Sequence, residues 1–260
     1  HTGEDGVVLR VEGLEIRTPT SHSAVCEGLS FFLRRGQSVL LYGPSGCGKS
    51  SMLRTVAGLW RRGRGRVVRP PDEECFFLPQ KAYMCTGSLY EQLEYPHYGQ
   101  GGEPLTREHV RELLSSVRLE HLLDDRRFDW NATEWSSLLS LGEQQRLALC
   151  RLVARRTRPD LVCLDEATAA LDSQNERLFY TILRRCAESY VSVGHRDSLI
   201  PLHTHVLAFE EAGAPAFRHG RIVGHGGEAA GGATWRLYTS EQFVARITAQ
   251  RCLSTDNLAV

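Results

Sequence analysis

Gly43-Pro44-Ser45-Gly46-Cys47-Gly48-Lys49-Ser50 sets spaced glycines, a lysine and a hydroxyl into one short segment. That pattern suits the wrapping of phosphate. Glycines let successive backbone N–H groups curl round an anion with no Cβ in the way. A helix that starts here adds positive potential at its N-terminus. Lys49 then offers a point charge to the β- and γ-phosphates of a nucleoside triphosphate. The Ser50 hydroxyl offers a ligand to Mg²⁺, and Ser51 completes the phosphate-binding set.

The flanks are those the loop needs. The apolar stretch 38–42 predicts a buried strand, and 51–60 predicts a helix with Leu53, Val56, Ala57 and Trp60 on one face. Of 31 Lys+Arg, only Lys49 and Lys81 are lysines. In a chain that otherwise uses arginine, the loop lysine reads as required, because a guanidinium is not an equivalent point charge.

A second segment, Leu139-Ser140-Leu141-Gly142-Glu143-Gln144-Gln145-Arg146, opens a helical pattern that runs through Leu147, Cys150 and Ala154. The run Leu161-Val162-Cys163-Leu164 follows Pro159 and ends at Asp165-Glu166, as a central parallel strand would. Further strands are expected at 75–78, ending at Pro79-Gln80, and at 190–194, ending at His195. In an open parallel sheet, strand ends share the edge where ligands bind.

Other elements follow from periodicity. Residues 7–16 read as an edge strand, 29–33 as another strand, and 61–66 as a basic, glycine-rich connector. Thr106 caps a helix to about Val117, with Val110, Leu113, Leu114 and Val117 inward. Residues 99–102 form a loop, 174–187 a helix, 205–222 a closing hairpin, and 235–250 a peripheral helix. An α/β core is thus expected over 1–82 and 158–222, with a helical part over 83–157 and a flexible or peripheral tail over 223–260.

At 260 residues, 42% hydrophobic and 24% charged, the composition is that of an ordinary globular domain. The formal net charge of zero gives no drive toward nucleic acid. The eight cysteines show no zinc spacing and read as reduced, small hydrophobes. His203 and His205 lack an evident third ligand and read as structural. No stretch is apolar enough to span a membrane. The chain starts at His1 and not Met, so it is expected to be cut from something longer that can still contain membrane helices.

With these residues in order, the chain resembles the nucleotide-binding domain of an ATP-binding cassette (ABC) transporter, up to about residue 222. The resemblance maps Walker A onto Gly43–Ser50, the Q-loop onto Gln80 and the signature onto Leu139–Arg146. Walker B falls on Leu161–Asp165 with Glu166, the D-loop on Ala170-Leu171-Asp172 and the switch histidine on His195. It implies an α/β fold: a RecA-like P-loop NTPase core with a mainly parallel sheet, an N-terminal antiparallel β subdomain and an inserted helical subdomain. Phe77–Met84, Gly87-Ser88-Leu89, Tyr95-Pro96, Gly58-Leu59-Trp60, Trp135 and His203-Thr204-His205 further resemble subfamily D, the half-transporters of peroxisomal and related membranes. Bacterial peptide and vitamin importers of the same branch share part of that pattern.

The resemblance implies ATP with Mg²⁺ as ligands and ATP hydrolysis as the reaction. Asp165 would hold Mg²⁺ through its water shell, Glu166 would act as general base, Gln80 would contact Mg²⁺ or the lytic water, and His195 would bond the γ-phosphate. Ser140, Gly142, Glu143 and Asp172 would reach ATP held by a second cassette, identical or different. A transmembrane domain of the same parent chain would couple through the surface 80–94. Location at the cytosolic face of an organelle membrane, peroxisomal first, and a fatty acyl-CoA or related lipid cargo are implied by subfamily D, with peptide or cobalamin cargo as the alternative. A soluble cassette acting on ribosomes or chromosomes, and a regulatory cassette that barely hydrolyses ATP, are the other readings.

Two departures stand out. Leu141 occupies a usual glycine of the signature, and is expected to crowd the phosphate or alter the loop and to slow the site. Thr18-Pro19-Thr20-Ser21-His22 lacks the aromatic that stacks on adenine in many transporters. Stacking contributes about 0.5–1.5 kcal/mol, so ATP affinity in the high micromolar range or weaker, with measurable GTP use, is expected. Tight, adenine-exclusive binding by calorimetry would count against this.

Overall fold

In the computed structural model, residues 6–17, 24–96, 105–124, 134–210, 227–229 and 233–256 are described. Strands β1 (Val7–Arg17), β2 (Ala24–Arg34), β3 (Ser38–Tyr42), β4 (Gly63–Val68), β5 (Cys75–Leu78), β6 (Leu161–Asp165), β7 (Ser189–Gly194), β8 (His205–Glu210), β9 (Gly227–Ala229) and β10 (Ala233–Thr239) form two sheets. Helices are α1 (Lys49–Val56), α2 (Leu89–Glu94), α3 (Arg107–Ser116), α4 (His121–Asp124), α5 (Trp135–Leu138), α6 (Leu141–Val153), α7 (Ser173–Cys186) and α8 (Ser240–Asp256). The small sheet runs β2-β1-β4 and the large one β5-β6-β7-β3-β8-β10-β9. The first is antiparallel throughout. In the second, β5, β6, β7, β3 and β8 are parallel, and β10 pairs antiparallel with β8 and β9. Helices α2 to α6 lie between β5 and β6 in the chain.

The central strands are apolar on both faces because both faces are covered. Leu40, Val162, Leu164, Val206 and Ala208 point into one core with α6, α7 and the inserted helices. Their neighbours Val39, Leu41, Leu161, Cys163, Leu207 and Phe209 point into the other, with α1 and the small sheet. Strand alternation therefore divides consecutive residues between two cores. The cap at Thr106 forms as expected, its hydroxyl accepting the His109 N–H at 3.2 Å, and Val110, Leu113, Leu114 and Val117 are buried.

Three expectations need correction. β1 is the middle strand of its sheet, not an edge. Half-buried alternation marks one solvated face and says nothing of the strand's two sides. Residues 63–66 of the expected connector belong to β4, which pairs with β1. Here glycine is what allows pairing: a Cβ on Gly63 would lie 1.8 Å from the Glu15 carbonyl oxygen, and one on Gly65 2.6 Å from that of Gly13. Finally, Trp235 begins no helix and lies in no peripheral tail. It stands opposite Phe209 in β10, almost wholly buried, and α8 starts only at Ser240. Thr239, whose hydroxyl accepts the Gln242 N–H at 3.3 Å, marks that start. Strand 205–210 thus finds its antiparallel partner beyond residue 222. The expected loop 99–102, the stretch 18–22, residues 211–222 and most of 224–233 lie outside the described residues.

Candidate functional site

β5, β6, β7 and β3 are consecutive in the large sheet, and their carboxyl ends are level. Leu78 faces Leu164, Asp165 faces Val193, and Gly194 faces Tyr42. Gln80, Asp165–Glu166, His195 and the loop from Gly43 consequently leave one edge together, as the sequence implied.

At the end of β3 the chain turns into α1, with Gly48 at the N-cap in left-handed conformation (φ 98°) and no side chain capping the helix. The first N–H groups of α1 are therefore left for a ligand. Lys49 is buried and folds back over the loop, its Nζ donating to the carbonyls of Gly43 at 2.9 Å and Pro44 at 2.6 Å. Ser50 and Ser51 sit in the first turn of α1, half-buried.

Asp165 ends β6 fully inside the protein. Arg54 of α1 donates to its Oδ2 at 3.0 Å, while Oδ1 is buried with no hydrogen-bond partner. A buried carboxylate oxygen without a donor is costly unless a cation or a metal-bound water meets it. Next to it, Glu166 holds a left-handed backbone (φ 49°), rare for a residue with a side chain. Such strain is characteristic of functional positions. Gln80 Nε2 donates to Glu166 Oε2 at 3.0 Å, joining two strand ends that are 86 residues apart in sequence. His195 follows β7 and is exposed.

Ser140 caps α6. Its hydroxyl donates to Glu143 Oε2 at 2.6 Å and its N–H to the same oxygen at 2.8 Å, in a capping box. His121 of α4 meets Glu143 Oε1 at 2.9 Å. Burial opposes ionisation of Glu143, but the bonds from Ser140 and His121 outweigh it and hold the carboxyl below its ordinary value. An ionised carboxylate only accepts, so Glu143 is suited to orient Ser140 and not to bond phosphate itself. Leu141 takes the first helical position, and its backbone is not left-handed, so the conformation there does not require a glycine. Gly142 is the tighter position, since a Cβ there would lie 3.1 Å from the Ala170 carbonyl oxygen, which would have to give by a few tenths of an ångström.

The segment between β6 and α7 is held from several sides. Asp172 caps α7, accepting from Gln174 N at 2.9 Å and Asn175 N at 2.8 Å. These bonds hold its carboxyl below the ordinary range. Arg196, beside His195, donates to Leu171 O at 3.1 Å and Thr168 O at 2.5 Å, and pairs with the buried Glu176 at 2.5 Å. Thr168 and Ser198 donate to the same carboxylate at 3.0 and 2.8 Å. Among the described residues, no hydrogen bond or ion pair joins the segment 139–143 to the loop 43–50.

Arg54, Glu176 and Arg196 lie outside the motifs, and Gln145 lies inside the signature with no role of its own legible from it. Only Glu176 carries a signal: a carboxylate in register with Phe179, Tyr180 and Leu183, on the apolar side of α7. The residues present fit Mg-ATP. Uncapped N–H groups and Lys49 suit the phosphates, and the orphaned Asp165 Oδ1 suits a metal-bound water. Among the described residues, no cluster of three or more His, Cys, Asp or Glu offers a metal site of another kind.

Fold and site define a P-loop ATPase domain with a RecA-like core, an antiparallel β subdomain and an inserted helical subdomain. Residues 26–169 match the ABC transporter family. An uncharacterized ABC transporter ATP-binding protein of Synechocystis is 39% identical over 80% of this chain and 31% of that protein. ABC transporter D family member 2, chloroplastic, of Arabidopsis thaliana is 35% identical over 78% of this chain and 35% of its own length. Human ATP-binding cassette sub-family D member 3 is 33% identical, over 81% and 32%. A bacterial Atm1-family ABC exporter, solved with ATP bound, shares the fold with a TM-score of 0.66 at 22% identity, over 78% of this chain and 37% of that one. The chain belongs to the ABC transporter family, as its ATP-binding domain, and the relatives bear out the resemblance to subfamily D. It spans about a third of the length of these relatives.

Proposed function

We propose that this chain is the ATP-hydrolysing engine of an ABC half-transporter, working as a sandwich of two cassettes with an ATP in each interface. The observation that carries this is the gathering of Lys49, Asp165, Glu166, Gln80 and His195 on one sheet edge, with Ser140 left unengaged with its own phosphate loop. A second cassette supplies what each edge lacks. Gly43–Ser51 wraps the phosphates, with Lys49 turning from the loop carbonyls toward them. When bound, Mg²⁺ would neutralise phosphate charge, and Ser50, Asp165 and Gln80 would hold it. Glu166 takes the proton of the attacking water, kept in place by the Gln80 amide, and His195 donates to the γ-phosphate. Ser140 and Gly142 close over the ATP of the opposite cassette, the Ser140 hydroxyl turning its proton from Glu143 to phosphate, and Asp172 lies at the same junction.

Glu166→Gln should cut turnover by about 10²–10⁴-fold while leaving binding intact, since only the base is lost. In light scattering, that variant should be a dimer with Mg-ATP and a monomer without it. A monomer at saturating ATP would sink the sandwich.

Cargo and membrane rest on the family alone. Relatives named as D family members favour a fatty acyl-CoA or related lipid and the cytosolic face of an organelle membrane, peroxisomal first. The second reading, a bacterial transporter of the same branch with peptide or cobalamin-type cargo, rests on the part of the subfamily D pattern that such importers share. Transport of acyl-CoA against that of cobalamin by the whole protein in vesicles separates them. The seat proposed for a membrane domain is the cavity of about 340 Å³ beside Pro79, lined by Phe76, Phe77, Tyr83, Tyr95, Arg151 and Arg155, among others. Tyr83 on its rim is 56% exposed.

A further inference from the structure

Gln145 lies in the second turn of α6, buried, and uses both ends of its amide. Its Nε2 donates to the Gln80 carbonyl oxygen at 3.3 Å, and its Oε1 accepts the Ala170 N–H at 3.2 Å. These partners belong to two loops with different tasks. Gln80 holds the general base of this chain's own site, through the 3.0 Å bond to Glu166. Ala170 belongs to the segment ending at Asp172, and its carbonyl oxygen lies close to Gly142, where an added Cβ would stand 3.1 Å from it. The peptide groups flanking Ala170 are thus met on both sides by α6, at Gly142 and at Gln145. The same helix begins with Ser140. A shift of α6 reaches Gln80 and Ala170 through one side chain.

We infer that Gln145 is a positioning residue that couples the two nucleotide sites. It ties the helix that touches the partner's ATP to the loop that holds this chain's Glu166. The inference rests on the sandwich reading above and assigns the residue that transmits between its sites. A glutamine suits the task because it is a neutral donor and acceptor at once. Both of its bonds reach backbone atoms, so the link does not depend on the rotamers of its partners.

Gln145→Leu, of similar volume, removes both bonds, and Gln145→Glu keeps the acceptor for Ala170 while losing the donor for Gln80. In the nucleotide-free chain, hydrogen exchange of the Ala170 amide should be about tenfold faster in Gln145→Leu and near wild type in Gln145→Glu. In steady-state ATPase against ATP concentration, both variants should lose about tenfold in kcat, and the Hill coefficient should fall toward 1. ATP affinity of the isolated domain by calorimetry should stay within about twofold of wild type. A merely structural role would not separate kcat and cooperativity from affinity. Unchanged Ala170 exchange in a folded Gln145→Leu, or wild-type kcat and Hill coefficient in either variant, overturns the inference. If Gln145→Leu does not fold, Gln145→Glu decides by the same kinetic outcomes. A wild-type chain without turnover would instead overturn the functional reading, and the link itself then stands or falls on Ala170 exchange.

Discussion

Leu141 is 59% exposed at the start of α6, beside the Ser140 hydroxyl that Glu143 holds. Its backbone is ordinary, so whatever it costs arises between two cassettes and not within one. Charge-assisted bonds to phosphate contribute about 1.5–3 kcal/mol each, and a bulky neighbour that keeps the serine from its phosphate forfeits that amount. Leu141→Gly should therefore raise kcat/KM for ATP by about tenfold, with little change in thermal stability. An unchanged kcat/KM would mean that the opposite cassette accommodates the leucine. Residues of this site were legible where identity and spacing coincide. Gly43 to Ser50, Asp165–Glu166 and the polar residues after strand ends are local patterns, and the sheet edge then collects them. Arg54 was not legible, because its tie to Asp165 spans 111 residues and no local rule links a helix arginine to a strand end. Gln145 was hidden within the signature for the same reason: both its bonds are tertiary.

At the scale of elements, β7 is anchored by a buried polar chain. His203 donates from Nδ1 to Leu199 O at 2.7 Å, so its Nε2 accepts from Ser192 at 2.9 Å, and Tyr180 meets the Ser192 hydroxyl at 3.2 Å. Every group is paired without a charge, which is the condition under which a buried network stabilises. Burial lowers the His203 pKa to about 4 from its ordinary 6.5, with the Leu199 bond acting against this. Between those values the unfolded chain takes up a proton that the folded chain refuses, so stability falls as pH drops through that window. From pH 7 to pH 5 the loss owed to this residue should be about 2 kcal/mol. In denaturant unfolding, His203→Gln should be less stable at pH 7 yet show a correspondingly flatter pH dependence. Equal pH slopes for variant and wild type would contradict it. Elements themselves were legible where one face is buried, as in α3 and α7. They failed where pairing overrides composition. The arginines and glycines of β4 have little strand propensity, and only the backbone of β1 makes it a strand. Trp235 lies on a short strand that runs directly into a helix, where the two periodicities blur.

For the whole molecule, one edge of one sheet gathers Lys49, Gln80, Asp165, Glu166 and His195, while the cavity beside Pro79 is lined with aromatic and arginine side chains. Arg151 there is buried. It donates to Tyr83 O at 2.6 Å and Gln92 O at 2.7 Å, and lies over the Tyr95 ring. The cavity wall is thereby tied to the segment that follows Gln80. A membrane domain seated in it would feel any movement of that segment. In the full-length protein, Tyr83→Cys should crosslink to cysteines placed in the cytosolic loops of the membrane domain. Crosslinking yield should change when ATP is added. No crosslink from any such loop would place the coupling surface elsewhere.

In the proposed sandwich, two copies of this domain complete each other's site. Steady-state Mg-ATPase activity measured against protein concentration, beside Glu166→Gln, tests it most directly. Activity should rise faster than linearly with protein and fall by about 10²–10⁴-fold in the variant. Activity strictly proportional to protein, or untouched by the loss of Glu166, would contradict it.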